Sequence, residues 1–366
     1  MSEKPKPKPK PRRTRHAATL ADVGREAGVS AMAASAVLNG ATTSSRISQP
    51  TRERIQEAAA KLRYRPNATA RGLADRRMNT IGVATTFSAN ELNQYFLEVF
   101  NGVIEGAAAA GQNTTVFALT DWPECERRLP AICDGRIDGL ILLSPWLSLE
   151  AGDKLPDHTP FVSVHANQLL PGVTNIESDE EAGAFEMTRQ LLALGHRRIL
   201  HLAGPPDSIG AQRRVAGYLA AHAAAGVPPA PGHVQYGHFT TEAGRRAFTE
   251  WLLHHQGQPM PEAIFGATDS VALVAIDLLV ERGLRVPQDV SVVGFDDTLA
   301  ARSAHLTTVR QPLREMGLRA VELLVQRIEA KQQDKPERLI DQVVLRTEFV
   351  KGRTLAKPRK LALLIA

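Results

Sequence analysis

The chain reads as an all-α head built around a helix-turn-helix, followed by an α/β body of two doubly wound parallel-sheet subdomains. Three observations carry that reading. Two short amphipathic helices meet at a glycine turn near residue 28, apolar strand-like runs alternate with helical stretches from residue 79 onward, and charge is split unevenly between the two parts. The 366 residues suffice for two or three domains. Apolar usage of 43% and charged usage of 23% exclude global disorder, collagen and disulfide-scaffold classes. Cys125 and Cys133 are the only cysteines, which disfavours a zinc module and fits a reducing compartment. No apolar stretch approaches the ~20 residues of a membrane span, and the Lys/Pro-rich N-terminus lacks the apolar core of a secretory signal. A cytoplasmic protein is expected.

Residues 1–80 carry 17 Lys/Arg against 6 Asp/Glu, whereas residues 81–366 carry 27 against 33. A basic head on a mildly acidic body attracts polyanions by neutralising phosphates and releasing counterions. The alternative for the first 18 residues is a solvated tail, since their alternating prolines prevent a helix and offer nothing to bury. Order is expected from Thr19, whose hydroxyl can cap a helix with Asp22 in the first turn. Leu20, Val23 and Ala27 follow at helical spacing and Gly28 ends the helix. Ser30 caps a second helix over 31–38, closed by Asn39 and Gly40. A third helix, capped by Ser48 and running to about Leu62, presents Ile55, Ala58, Ala59 and Leu62 to the other two. Arg52, Arg54, Lys61, Arg63 and Arg65 then face outward, as a DNA-backbone surface or as a salt-bridged face.

The run TLADVGREAGVSAMAASAVLNG, followed by RISQPTRERIQEAAAKLRYRPNATARGLA, closely resembles the DNA-binding head and hinge of the lactose/galactose repressor family of bacterial transcription regulators. The resemblance continues to about Gly352. It implies that Ala31, Met32 and Ala36 face base edges, and that Thr19, Ser35, Asn39, Ser48, Thr51, Tyr64 and Asn67 contact phosphates or brace the head. All three reading positions are apolar, so they can offer thymine methyls and groove shape but no bidentate hydrogen bond. More specificity then falls to Arg46, half-site spacing and DNA deformation. The alternative for three apolar residues is a helix face buried against protein. Beyond Pro66, residues 67–74 can form one or two helical turns, unstable alone because nucleation costs more than so few bonds return. By resemblance two such hinges pair in the minor groove, with Leu73 wedging a base step and Ala70 beside it. A linker whose leucine packs on the body is the other reading. Gly72 weakens such a helix by roughly 1 kcal/mol relative to Ala.

In the body, apolar runs at 81–85, 115–118, 139–143, 161–164, 199–202, 263–267 and 291–295 alternate with helical stretches at 95–110, 180–194, 209–225, 240–254 and 270–282. Continuous apolar strands separated by helices indicate parallel sheets covered on both faces, with a cleft at facing strand ends. The resemblance implies a periplasmic-binding-protein type I fold. Its lobes are expected at 79–177 with 307–335, and at 178–306 with 336–352, the chain crossing near 177, 307 and 336 and ending in a tail at 353–366. Asp296 at a strand end, Arg214 in a helix-opening stretch and Phe239 at a strand-to-helix junction suit a hydroxylated ring: the charged groups bond hydroxyls or an anionic group, and the ring stacks on an apolar face. By resemblance, Thr86, His165, Arg214, Phe239, Thr268, Asp296 and Gln311 match effector contacts. His165 reads equally as a surface histidine.

No Gly-x-Ser-x-Gly elbow, Gly-x-x-x-x-Gly-Lys loop or His-Glu-x-x-His helix is present, and no catalytic residue, metal or cofactor is expected. His196, His201, His254 and His255 read as solvated or capping residues. Asp296 and Asp297, adjacent on a strand, point apart and make a poor acid/base pair. The expected function is a dimeric repressor binding a palindromic operator, its affinity set by a sugar or sugar derivative in the cleft. A solute-binding protein of a transport system is the rival, and the C-terminal segment has too few heptad leucines for a tetramerising coiled coil.

Overall fold

The computed structural model describes residues 17–39, 47–66, 72, 77–86, 94–335, 340–359 and 363–365. The chain forms two compact units, Met1–Met78 and Asn79–Ala366.

In the first unit, α1 (Leu20–Ala27) opens with a reciprocal cap: the Asp22 amide donates to Thr19 Oγ1, and the Thr19 amide donates to Asp22 Oδ2 at 3.0 Å. Gly28 ends it at φ 68°, a left-handed conformation that glycine adopts without strain. Gly24 permits the tight return, because a Cβ there would lie 2.8 Å from the Val29 carbonyl oxygen. Ser30 Oγ accepts from the Ala33 amide and starts α2 (Ala31–Asn39). α3 (Gln49–Lys61) begins differently from expectation, since Ser48 Oγ meets the Thr51 hydroxyl at 2.9 Å and caps no amide. Val23, Ala27, Ala34, Ile55, Ala58 and Ala59 form the core, with Leu62 and Tyr64 packed against it.

The second unit has two lobes. β1 (Thr80–Thr86), α4 (Gln94–Ala109), β2 (Asn113–Leu119), α5 (Trp122–Ile132), β3 (Gly139–Leu143), β4 (Phe161–Val164) and β5 (Thr174–Ser178) build the first. α6 (Glu180–Ala193), β6 (Ile199–Ala203), α7 (Ile209–Ala225), β7 (Val234–Tyr236), α8 (Thr241–His254), β8 (Ala263–Gly266), α9 (Asp269–Glu281), β9 (Ser291–Val293), α10 (Leu299–Ser303) and β10 (Thr308–Arg310) build the second. α11 (Leu313–Gln332) and β11 (Gln342–Leu345) return to the first lobe, and β12 (Glu348–Val350) to the second. The first sheet has the order β11-β5-β4-β3-β1-β2 and the second β7-β6-β8-β9, parallel throughout. Alternate residues supply both faces: Ile81, Val83 and Ile141 pack with α4 and α11, while Ala84, Leu140 and Leu142 pack with α5. α4 and α11 touch closely because Gly102 and Gly317 face the carbonyls of Arg314 and Val99, where a Cβ would collide.

Three expectations change. The second crossing lies at Gln311–Pro312, not 307, because Thr307 and Arg310 bridge to Val293 and Asp296 of the second lobe. The third lies at Arg346–Thr347, not 336, because β11 pairs with β5 before β12 pairs with β10. Residues 353–359 and 363–365 are no free tail: the Val292 amide donates to Thr354 O, the Met260 amide to Leu363 O, and Ile365 enters the second lobe's core.

Candidate functional site

On the head, Ala31 and Met32 project from the start of α2, with Met32 77% exposed. Ala36, expected beside them, is 8% exposed. It stands one turn beyond Met32 and is largely covered within the folded head. Ser35 and Asn39 are half-buried, and Asn39 Nδ2 donates to Ser35 Oγ at 3.1 Å. Thr19, Ser48 and Arg52, Arg54, Lys61, Arg63 and Arg65 are exposed, with Thr51 and Tyr64 half-buried. Of those five cations, Lys61 alone forms an ion pair among the described residues, with Glu26 at 2.6 Å. A cationic face with few acids suits a phosphate backbone. Arg46, Asn67, Ala70 and Leu73 lie outside the described residues.

In the body a cleft of about 810 Å³ opens between the carboxyl ends of the two sheets. Thr86, His165, Arg214, Phe239, Thr268 and Asp296 line it together. Gln311 does not. It braces the site instead, its Nε2 donating to Asp296 Oδ1 at 2.6 Å while its Oε1 accepts from Ser178 Oγ. The cleft also shows backbone strain: Ser144 (φ 50°), His165 (φ 50°) and Asp296 (φ 124°) are non-glycine residues held at positive φ.

Arg214 is buried and already partnered. Its Nε and Nη2 donate to Glu180 Oε1 at 3.2 and 2.7 Å, Nη1 donates to the Ala267 carbonyl, and the guanidinium lies 4.2 Å from the Phe295 ring centroid and 5.3 Å from that of Phe239. Burial acts to raise the Glu180 carboxyl, but Arg214 and its neighbours prevail and hold it below the ordinary range. Arg213 pairs with Glu177 at 2.8 Å. Burial raises Asp296 to about 8, Asp269 adding to the shift and Arg214 opposing it. The neutral acid therefore prevails near pH 7. Oδ1 accepts from Gln311, which leaves Oδ2 to carry the proton when the acid is neutral. Asp269 is itself raised to about 6 by burial, and takes hydrogen bonds from the Thr298 amide and hydroxyl and the Thr308 hydroxyl. Asp297 points elsewhere, to Arg310 at 2.7 Å.

His165 is neutral with its tautomer fixed. The Ser178 amide donates to Nε2 at 3.2 Å, so Nδ1–H donates to Tyr95 Oη at 2.5 Å, and burial lowers the imidazole to about 4. Thr268 caps α9 by accepting from the Val271 amide, and donates to the Phe239 carbonyl. It thus positions Phe239. Lobe meets lobe through Asn167, whose side chain donates to Asp207 O and accepts from the Ile209 amide, and through the Glu98–Arg302 pair at 2.6 Å.

Sequence reasoning missed Tyr95, Glu180, Arg213, Trp146 and Asn167 in this cleft. Glu180 enters the sequence reading only as the start of the helical stretch 180–194. Trp146 and Asn167 directly follow the apolar runs of β3 and β4, and the strand-end rule that located Asp296 applies equally to them. His196 and His201 are core residues, not solvated ones: the sheet and its covering layers bury both.

Head and cleft together define a two-part transcription regulator, with a DNA-binding helix-turn-helix and a ligand-binding body. Residues 19–67 match the lacI family of bacterial regulatory proteins, and residues 188–349 match the periplasmic binding protein-like domain. The HTH-type transcriptional regulator CelR of Thermobifida fusca is 34% identical, covering 88% of this chain and 95% of that protein. Among solved structures, the CelR–cellobiose complex is 30% identical, covers 92% of this chain and 99% of that one, and superposes with a TM-score of 0.67. The Lac repressor dimer bound to operator and the anti-inducer ONPF is 28% identical, covers 93% and 100%, and gives 0.78. The chain belongs to the lacI family of bacterial regulatory proteins. No helix among the described residues is long and apolar enough to cross a membrane.

Proposed function

We propose that the protein is a dimeric repressor that grips a palindromic operator with paired heads, and that a sugar or sugar derivative in the body's cleft sets the strength of that grip. The observation that carries this reading is the convergence of Thr86, His165, Arg214, Phe239, Thr268 and Asp296 on one cleft, in a chain that also carries an exposed helix-turn-helix. Its relatives support it, among them a repressor dimer on its operator and a regulator holding cellobiose. In this reading Ala31 and Met32 meet base edges, Thr19, Ser35, Asn39, Ser48, Thr51 and Tyr64 hold or brace the backbone contact, and residues 67–78 act as the hinge. On the same reading the body binds its ligand without converting it, as befits a chain whose relatives named above are transcription regulators. A solute-binding protein would have no use for the head.

Effector binding alters operator affinity only through unequal affinity for the two states of the body. The test is selection of genomic fragments on the full-length protein with and without metabolite pools. A two-fold symmetric site whose retention changes with a sugar is expected. Equal retention of every duplex, governed by salt alone, refutes the proposal.

A further inference from the structure

The charges of the inner cleft cancel in pairs. Arg214 faces Glu180 at 2.7 Å and Arg213 faces Glu177 at 2.8 Å, so neither guanidinium is left as an unbalanced cation. His165 accepts a backbone amide at Nε2 and is neutral. Asp296, beside these pairs, would repel an anion if ionised and can donate a hydrogen bond when neutral. A phosphate or carboxylate entering this region would lose its hydration and find, among the described residues, no guanidinium without a carboxylate partner. Hydroxyl groups suit what remains: two unused N–H groups of Arg214 and the Oδ2 of Asp296.

The cleft also offers two aromatic faces on opposite lobes. Phe239 is half-buried on the second lobe, its backbone held by Thr268 and its ring near Arg214. Trp146, on the loop after β3 in the first lobe, lines the same cleft and is 39% exposed, so its ring is open to a ligand there. About 810 Å³ lies in the upper part of the range for small-molecule sites, more than a single pyranose fills. Two polar side chains that line the same cleft are already engaged: Asn167 links the lobes, and Asp121 caps α5 by accepting from the Glu124 amide.

We propose that the cleft takes an uncharged glycoside of two rings, the inner ring stacked on Phe239 with its hydroxyls on Asp296 and Arg214, and the outer ring stacked on Trp146. This rests on the reading of the cleft as the effector site. Selectivity is strict for the inner ring, where hydrogen-bonding groups converge, and lax for the outer ring, where stacking dominates.

Calorimetric titration of the full-length protein tests it, with cellobiose, lactose, maltose, mannobiose and xylobiose, their monosaccharides, glucose 6-phosphate and glucuronate as probes. At least one neutral disaccharide is expected to bind about tenfold or more tightly than its monosaccharides, with no measurable binding of the two anions. Trp146→Ala, an exposed loop change, should weaken the disaccharide about tenfold and leave the monosaccharide within about twofold, and Trp146→Phe should recover most of the loss. A phosphosugar or uronate that outbinds its neutral parent, a monosaccharide as tight as its disaccharide, or a panel in which no neutral disaccharide binds overturns the proposal. Retention of the selected DNA is measured on the same preparations. Sequence-specific retention without disaccharide binding defeats this inference alone, whereas disaccharide binding that leaves retention unchanged defeats the regulator reading and not the pocket assignment.

Discussion

The head and the body are stabilised on different scales. The head's buried core consists of Val23, Ile55 and four alanines, whereas the second lobe alone buries Trp251, Phe248, Phe265 and Phe295. The charges differ in the same way. On the head Arg52, Arg63 and Arg65 are exposed, open to salt and to a polyanion, while the body pairs Arg214 with Glu180 in its interior and shifts the protonation of Asp296, His165 and His201 by burial. A thin core with an exposed cationic face suits an element completed by its ligand. A thick core with neutralised internal charge suits one that must hold a cleft unaided.

The largest expected effect that separates the two is Glu180→Ala. It strands the Arg214 guanidinium in the interior and should cost about 3–5 kcal/mol, a fall on the order of 10 °C in the body's melting temperature by calorimetry. Replacing both partners, Glu180→Leu with Arg214→Met, should restore much of that stability while abolishing ligand binding. Recovery would identify the pair as a device for specificity. Next is Ile55→Ala, which removes the largest side chain in the head's core at about 2–5 kcal/mol. A domain of this size has little more than that to lose. Sequence-specific DNA retention should vanish while the body's melting transition stays in place, and a body transition that moved with it would contradict the independence of the two units.

Much of this contrast is visible in the amino-acid order, for local reasons. The cap formed by Thr19 and Asp22 and the turn at Gly28 are short-range chemistry, so helix and turn follow directly from adjacent residues. Strands β3, β4 and β6 are buried on both faces and appear as apolar runs broken only by Ser163 and His201. β11 lies at a sheet edge with Val344 52% exposed, and β10 and β12 are three residues each, so no such run marks them and the crossings shift. α5 was hidden by Pro123 and Pro130, and α11 by charged residues interleaved with its stripe of Leu313, Met316, Val321 and Leu324. In the cleft, residue identity suggested position but not engagement. Arg214 looked like a free guanidinium because Glu180 is 34 positions away, and Gln311 looked like a contact because its part in bracing Asp296 depends on where the chain crosses between lobes.

Acid separates the two regions more gently. Burial lowers His201 and His165 to about 4 and also lowers His196, His222 and His233, all in the body. Between pH 6.5 and 4 these histidines bind more protons in the unfolded chain than in the folded body, so their contribution to stability is full above 6.5 and declines as pH falls through that window. His201 donates from Nδ1 to the Phe265 carbonyl and leaves Nε2 without a partner, among the rings of Tyr218 and Phe265. His201→Asn keeps a donor in place of Nδ1 and cannot take a charge. It should lower stability at pH 7 through lost packing yet reduce the drop in melting temperature from pH 7 to pH 5, and an unchanged drop would exclude His201 as a source of acid sensitivity.

Asp296 acts in the opposite direction. Its folded value of about 8 lies above the ordinary 3.8, so between those limits the folded body holds a proton that the unfolded chain has released. Its contribution is therefore full below 3.8 and is lost as pH rises toward 8. Asp296→Asn preserves what the geometry requires. The amide oxygen can still accept from Gln311 Nε2, and asparagine tolerates the positive φ of this position as well as aspartate does. What it removes is the ionisation. At pH 9 the variant should melt clearly above the parent, with the two converging toward pH 4, while the head's transition serves as an internal reference. Disaccharide affinity should follow the same logic: in the parent it weakens above pH 8 as the hydrogen-bond donor is lost, and in the variant it stays level because the amide keeps a donor at every pH. If both proteins lost affinity equally above pH 8, the proton would belong to another group and the carboxyl would not be the one that meets the inner ring.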